Sequence, residues 1–209
     1  GEEFAQRLGG MVIGQTRAVD ALSETYQMYK ANMADPERPI GILFFLGPTG
    51  CGKTKIVEAM AEIIFEDAHK FLKINCAEFQ HNHEIAKLIG APPGYLGHNE
   101  TKPIFTQENL NSYQSKDDKL TIVLLDEFEK ASDELAQLML GVLDKGTLKL
   151  GNNSEVNFCK TIIIMTSNLG AREISKTVGK KMGFSSESPR TKDRQKLDNQ
   201  IYRRSDLES

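Results

Sequence analysis

The segment Gly47-Pro48-Thr49-Gly50-Cys51-Gly52-Lys53-Thr54 has the residue types and the spacing to hold a phosphate. It fits the pattern G-x-x-x-x-G-K-[ST]. Glycines let backbone N–H groups curl around an anion where a Cβ would clash. A helix that follows directly would aim its positive dipole end at the same anion. Lys53 would reach the terminal phosphates, and the Thr54 hydroxyl would ligate Mg2+. Pro48, Thr49, Gly50, Cys51 and Gly52 supply the wall of the loop.

Two further groups extend this chemistry. Ile122-Val123-Leu124-Leu125-Asp126-Glu127 is an apolar run ending in two carboxylates. Asp126 would hold the metal through water, and Glu127 would act as general base on an attacking water. Thr161 to Met165 is a second apolar run, and it delivers Thr166-Ser167-Asn168. An asparagine there can orient the water against the last phosphate.

The elements that must position these residues follow from apolar patterning. Ile42 to Leu46 is a short apolar run ended by Gly-Pro, which predicts a buried parallel strand. Ile56, Val57, Met60, Ile63 and Ile64 repeat at helical spacing just after the glycines. Strands are also expected at Phe71 to Ile74, Leu120 to Leu125 and Thr161 to Met165. Helices are expected at Glu84 to Ile89 and at Ser132 to Leu143, with Ser132 as N-cap. Phe4 to Met33 is helical in spacing, with breaks at Gly9-Gly10 and Gly14. Alternating strands and helices predict an α/β fold: a three-layer sandwich around a parallel sheet, as in P-loop nucleotide hydrolases. Three regions are expected: an N-terminal helical segment over 1–40, a phosphate-binding core over 41–172, and a mobile loop with a cut-short helix over 173–209.

The bulk composition narrows the function. The 209 residues carry a formal net charge of −3, which speaks against a surface that coats nucleic acid. No apolar run reaches the ~18 residues needed to span a bilayer, and no export leader opens the chain, so a cytoplasmic protein is expected. Cys51, Cys76 and Cys159 form no C-x-x-C pair, and free thiols in a reducing compartment are expected. His81 and His83 lack further ligands at metal-site spacing and read as a solvated turn or a helix start.

Together the phosphate loop, the Asp126-Glu127 pair and Asn168 resemble the AAA+ ATPases, with Asn168 at their sensor-1 position. Longer strings resemble the Clp unfoldase family, above all its second nucleotide-binding domain. Val12-Ile13-Gly14-Gln15 is similar to that family's adenine-contacting opening. Leu88 to Gly97, with Pro92-Pro93-Gly94-Tyr95-Leu96, resembles its substrate-gripping pore loop. Leu124 to Ala131 and Ile164 to Gly170 complete the likeness. The family's helical lid and arginine finger are not recognisable, so the chain reads as the large subdomain of a longer protein.

The resemblance implies an ATP- and Mg2+-dependent hydrolase that works as a homo-hexamer and threads polypeptide substrates through its pore. Tyr95 and Leu96 would grip the substrate. Met182-Gly183-Phe184 sits where family members that feed a peptidase carry a docking tripeptide for a ClpP-like partner; the alternative is that its apolar side chains pack on this domain. Two other functions are weighed against the unfoldase: an AAA+ nucleic-acid motor or loader, and a nucleotide-dependent scaffold without turnover.

Overall fold

The computed structural model describes residues 2–12, 14–92, 102–114 and 117–170. Two helices open it, α1 (Glu2–Met11) and α2 (Thr16–Lys30). Strand β1 (Gly41–Leu46) leads through the phosphate loop into α3 (Lys53–Phe65), and β2 (Leu72–Asn75) follows. Short helices α4 (Ala86–Ile89) and α5 (Gln107–Ser112) precede β3 (Thr121–Asp126) and α6 (Asp133–Lys145). A hairpin of β4 (Thr147–Lys149) and β5 (Glu155–Asn157) then leads to β6 (Thr161–Ser167).

The main sheet has the order β1-β6-β3-β2, with every pairing parallel. Parallel pairing brings all C-terminal strand ends to one edge, where open α/β sheets bind ligands. Register then decides neighbours: Asn75 lies opposite Asp126, and Leu46 lies opposite Ser167.

The central strands β3 and β6 are buried on both faces, which is why their sequences are apolar without alternation. Alternate residues nevertheless serve different layers. Ile122, Leu124, Ile162 and Ile164 pack with Phe4, Leu8, Leu22, Ile56 and Met60 of α1, α2 and α3. Val123, Leu125, Ile163 and Met165 pack with Leu88, Phe105, Leu135, Met139 and Phe158 on the other side. This is the expected three-layer sandwich.

Four local features differ from the sequence expectation. Strand β1, expected to be buried, is the end strand of the described sheet, with Phe45 buried but Ile42 and Leu46 exposed. Helix α1 runs through Gly9 and Gly10 without a break. Glycine costs a helix interior about 1 kcal/mol, but these two lie in the last turn, and burial of Phe4 and Leu8 outweighs that cost. The segment expected to be helical at Glu84 to Ile89 starts earlier, as a 3-10 turn at Asn82–Ile85 that feeds α4. The β4–β5 hairpin and α5 were not anticipated. Their signals were present: Asn153 takes a positive φ of 66° in the hairpin turn, and the Thr106 side chain caps α5 by accepting from the Asn109 N–H. Ser132 caps α6 in the same way, accepting from the Leu135 N–H. All three cysteines are free, and His81 and His83 are exposed.

Candidate functional site

The phosphate loop owes its shape to its glycines. Gly50 and Gly52 have φ of +82° and +90°, the left-handed region that side chains rarely adopt. At Gly47 an added Cβ would come within 2.9 Å of Cys51 Sγ. Gly52 is also the N-cap of α3 and brings no side chain to satisfy the helix's first amides. Those amides therefore suit an anion. The Gln15 side chain donates to the Cys51 carbonyl at 2.8 Å and ties the segment before α2 to the loop.

Lys53 Nζ donates to the Gly47 carbonyl at 2.6 Å, to the Pro48 carbonyl at 2.9 Å and to Asn168 Oδ1 at 2.9 Å. An ammonium has three protons, so this group is fully engaged and held at the mouth of the loop.

Asp126 ends β3 between one cation and one hydroxyl from the neighbouring strands. Thr166 Oγ1 donates to Oδ1 at 2.5 Å, and Lys73 Nζ, on β2, lies 3.0 Å from Oδ2. Burial pushes the Asp126 carboxyl up, but the Thr166 hydrogen bond and Lys73 together outweigh it and hold the group below the usual aspartate range. The same Thr166 oxygen accepts the Glu127 N–H at 3.1 Å. One buried hydroxyl thus braces both carboxylate residues, a role that sequence reading did not assign to Thr166.

Glu127 has φ 55° and ψ 46°, the left-handed region. A non-glycine residue there costs of order 1–3 kcal/mol and is held by its surroundings. The conformation turns the side chain out of the strand: Oε1 accepts from Asn168 Nδ2 at 3.3 Å and Oε2 accepts from Lys130 Nζ at 2.8 Å. The Asn168 N–H donates to Glu129 Oε1 at 3.1 Å. Gln15, Lys73, Glu129 and Lys130 were also passed over as site residues. Lys130 and Glu129 lie within the quoted string after Asp126, but nothing in the sequence says which way they turn.

Thr49, Gly50, Gly52, Lys53, Thr54, Asp126, Glu127 and Asn168 line one cleft of about 320 Å³. A second cleft of about 360 Å³ adjoins it, lined by Gln15, Arg17, Ala18, Leu43, Cys51 and Ile56. A larger cleft of about 800 Å³ lies at the opposite, N-terminal ends of the strands, beside Thr121 and Thr161, and holds none of these groups. Val12 is buried in the apolar cluster under α1 to α3. Ile13, Tyr95, Leu96, Met182, Gly183 and Phe184 lie outside the described residues.

A lysine and helix amides on one wall, with two carboxylates and an amide on the other, make a site for a polyphosphate and a water beside it. Comparison with known proteins decides the family. The family model described as AAA domain (Cdc48 subfamily) matches residues 38–206. The chain belongs to this AAA family. It is a Clp-type AAA+ domain by its relatives. The chaperone protein ClpB of Rhodopirellula baltica is 40% identical over 171 residues, which is 82% of this chain and 19% of that protein. The ClpB of Mesorhizobium japonicum is 43% identical over 164 residues, 78% of this chain and 18% of that one. Among solved structures, the closed state of Hsp104 with ATPγS and FITC casein aligns with a TM-score of 0.72 at 32% identity, covering 84% of this chain and 29% of that one. The AAA+ domain described here thus spans about a fifth of the length of the curated relatives it matches.

Proposed function

We propose that this domain binds ATP with Mg2+ and hydrolyses it, as the motor of a ring-forming Clp-type chaperone that threads polypeptides. The observation that carries the proposal is the meeting of Lys53, Glu127 and Asn168 in one hydrogen-bonded chain at the rim of the phosphate cleft.

In this reading the amides of Gly50 to Lys53 and the Lys53 ammonium bind the β- and γ-phosphates. The base and ribose take the adjoining cleft beside Gln15; Val12 and Ile13, which precede Gln15 in the chain, are proposed as adenine-side residues on the family likeness alone. Thr54 and Asp126 present hard oxygen donors to the phosphate cleft, the donor type that Mg2+ takes while keeping several waters. Bound there, the ion would neutralise charge on the phosphate oxygens. Glu127, supported by Asn168, accepts a proton from water as the water oxygen attacks the γ-phosphorus. ADP leaves with the β–γ bridging oxygen, and inorganic phosphate is released.

Polypeptide as the substrate rests on the relatives: ClpB is named a chaperone, and the Hsp104 structure contains casein. Tyr95 and Leu96 are proposed as the gripping residues of a central pore in a homo-hexamer. Met182-Gly183-Phe184 is proposed as the docking point for a ClpP-like peptidase. A cytoplasmic location is proposed on the same family grounds. No helix among the described residues is long and apolar enough to cross a membrane.

The test uses the longer protein that contains this domain. Glu127→Gln is expected to bind ATP but hydrolyse it at least about a hundred-fold more slowly. Tyr95→Ala is expected to keep hydrolysis within a few-fold and to stop unfolding of a tagged fluorescent substrate. Undiminished hydrolysis by Glu127→Gln would overturn the catalytic reading; undiminished unfolding by Tyr95→Ala would overturn the threading reading.

A further inference from the structure

A single 3-10 turn, Phe128–Lys130, carries side chains that bond to both Glu127 and Asn168. The Lys130 N–H donates to the Glu127 carbonyl at 2.9 Å, which closes the turn and brings the lysine side chain back over the glutamate. Lys130 Nζ then meets Glu127 Oε2 at 2.8 Å. From the same turn Glu129 Oε1 accepts the Asn168 N–H. Its Oε2 is buried without a hydrogen-bond partner among the described residues, a costly arrangement that stability alone does not explain. Between them Phe128, 2% exposed, stands edge-on to Phe44 with ring centroids 6.1 Å apart and fixes the turn against β1.

We propose that Lys130 is a positioning residue for hydrolysis, holding the Glu127 carboxylate beside Asn168 at the mouth of the phosphate cleft. This inference rests on the hydrolytic reading above. Both side chains of the ion pair are partly exposed, 45% for Lys130 and 30% for Glu127, so the pair contributes little to stability. Orientation is where it matters. A glutamate has three side-chain torsions, and the last is broad. The Asn168 contact at 3.3 Å is long for a hydrogen bond and holds the carboxylate weakly. Lys130 makes the shorter, charge-assisted contact and fixes the other oxygen. Freed from it, the carboxylate samples rotamers that miss the water, and misplacement on the ångström scale costs up to about 10²-fold in rate.

The experiment measures steady-state ATP hydrolysis by the longer protein. Lys130→Met is expected to lower kcat about ten-fold while KM for ATP stays within about two-fold. Lys130→Arg, which keeps the charge and the donors, is expected to restore kcat to within about three-fold. In a Glu127→Gln background, Lys130→Met is expected to change the residual rate less than about two-fold, because the group it positions is gone. Three results would overturn the inference: an unchanged kcat in Lys130→Met, a rise in KM matching the fall in kcat, or the same loss in the Glu127→Gln background. Lys130→Gln, equally uncharged, repeats the measurement if the methionine variant melts early. Full turnover by Glu127→Gln alone removes the hydrolytic reading and this inference with it. Loss in Glu127→Gln alongside full turnover in Lys130→Met removes only the inference.

Discussion

Lys53 and Asn168, 115 residues apart in the chain, share a hydrogen bond of 2.9 Å in which the ammonium donates to the amide oxygen. The orientation of the amide follows from chemistry. A lysine can only donate and an ionised carboxylate can only accept. Asn168 must therefore turn its oxygen to Lys53 and its nitrogen to Glu127, as it does. The asparagine thus links Lys53, the proposed phosphate-binding lysine, to Glu127, the proposed general base.

Lys53→Ala removes the central cation of this chain. Nucleotide affinity is expected to fall about 10- to 100-fold, the scale of one or two charge-assisted hydrogen bonds. Titration with a fluorescent ATP analogue checks it, with Lys55→Ala as a control, since Lys55 pairs with Glu58 on the surface. Equal affinities for wild type and Lys53→Ala would mean that the loop does not bind phosphate.

Thr166→Val keeps the shape of a residue only 1% exposed but deletes the hydroxyl that braces Asp126 and the Glu127 N–H. Two polar groups then lose their partner. Stability is expected to fall by about 1–3 kcal/mol, read as a lower midpoint in urea. Thr166→Ser keeps the hydroxyl and is expected to lose clearly less. Equal midpoints for the valine variant and wild type would show the brace to be unimportant.

Glu127→Gly separates stability from activity. The left-handed backbone at φ 55° strains a glutamate but not a glycine. Melting of the 209-residue chain is expected to rise, by up to about 1 kcal/mol in stability, while ATP hydrolysis by the longer protein is lost. A large fall in melting temperature would show that the side-chain contacts of Glu127 outweigh the strain.

Cys76 supplies a pH dependence. Burial first, and then the carboxylates Asp126, Glu129 and Glu127, push its thiol up to about 12 from an ordinary value of 9.0. The unfolded chain loses this proton near pH 9 while the folded chain keeps it. The unfolded state therefore binds fewer protons between pH 9 and 12, and stability falls as pH rises, by up to about 1.4 kcal/mol per unit in that window. Urea midpoints at pH 8 and pH 10.5 are expected to converge in Cys76→Ala relative to wild type. An identical pH slope in both proteins would assign the alkaline loss to other groups.

The sequence by itself determined the groups that make local or periodic patterns. Gly50, Gly52 and Lys53 are legible because a phosphate loop is built from consecutive backbone and needs particular residue types at fixed spacing. Strands β3 and β6 are legible because a parallel strand buried on both faces must be apolar throughout. Asp126, Glu127 and Asn168 could be named because each directly follows or ends such a strand. Tertiary structure alone decided which of these groups meet. Parallel register, a property of two strands at once, sets Asp126 opposite Asn75 and brings Thr166 within a hydrogen bond of it. The left-handed backbone of Glu127 is imposed by the packing of Phe128 and by the Thr166 hydroxyl, against its own preference. The roles of Thr166, Lys73, Glu129 and Lys130 depend on where a side chain turns after the chain has crossed the sheet. Sequence spacing does not encode such a direction, because the partners that select each rotamer arrive from other strands.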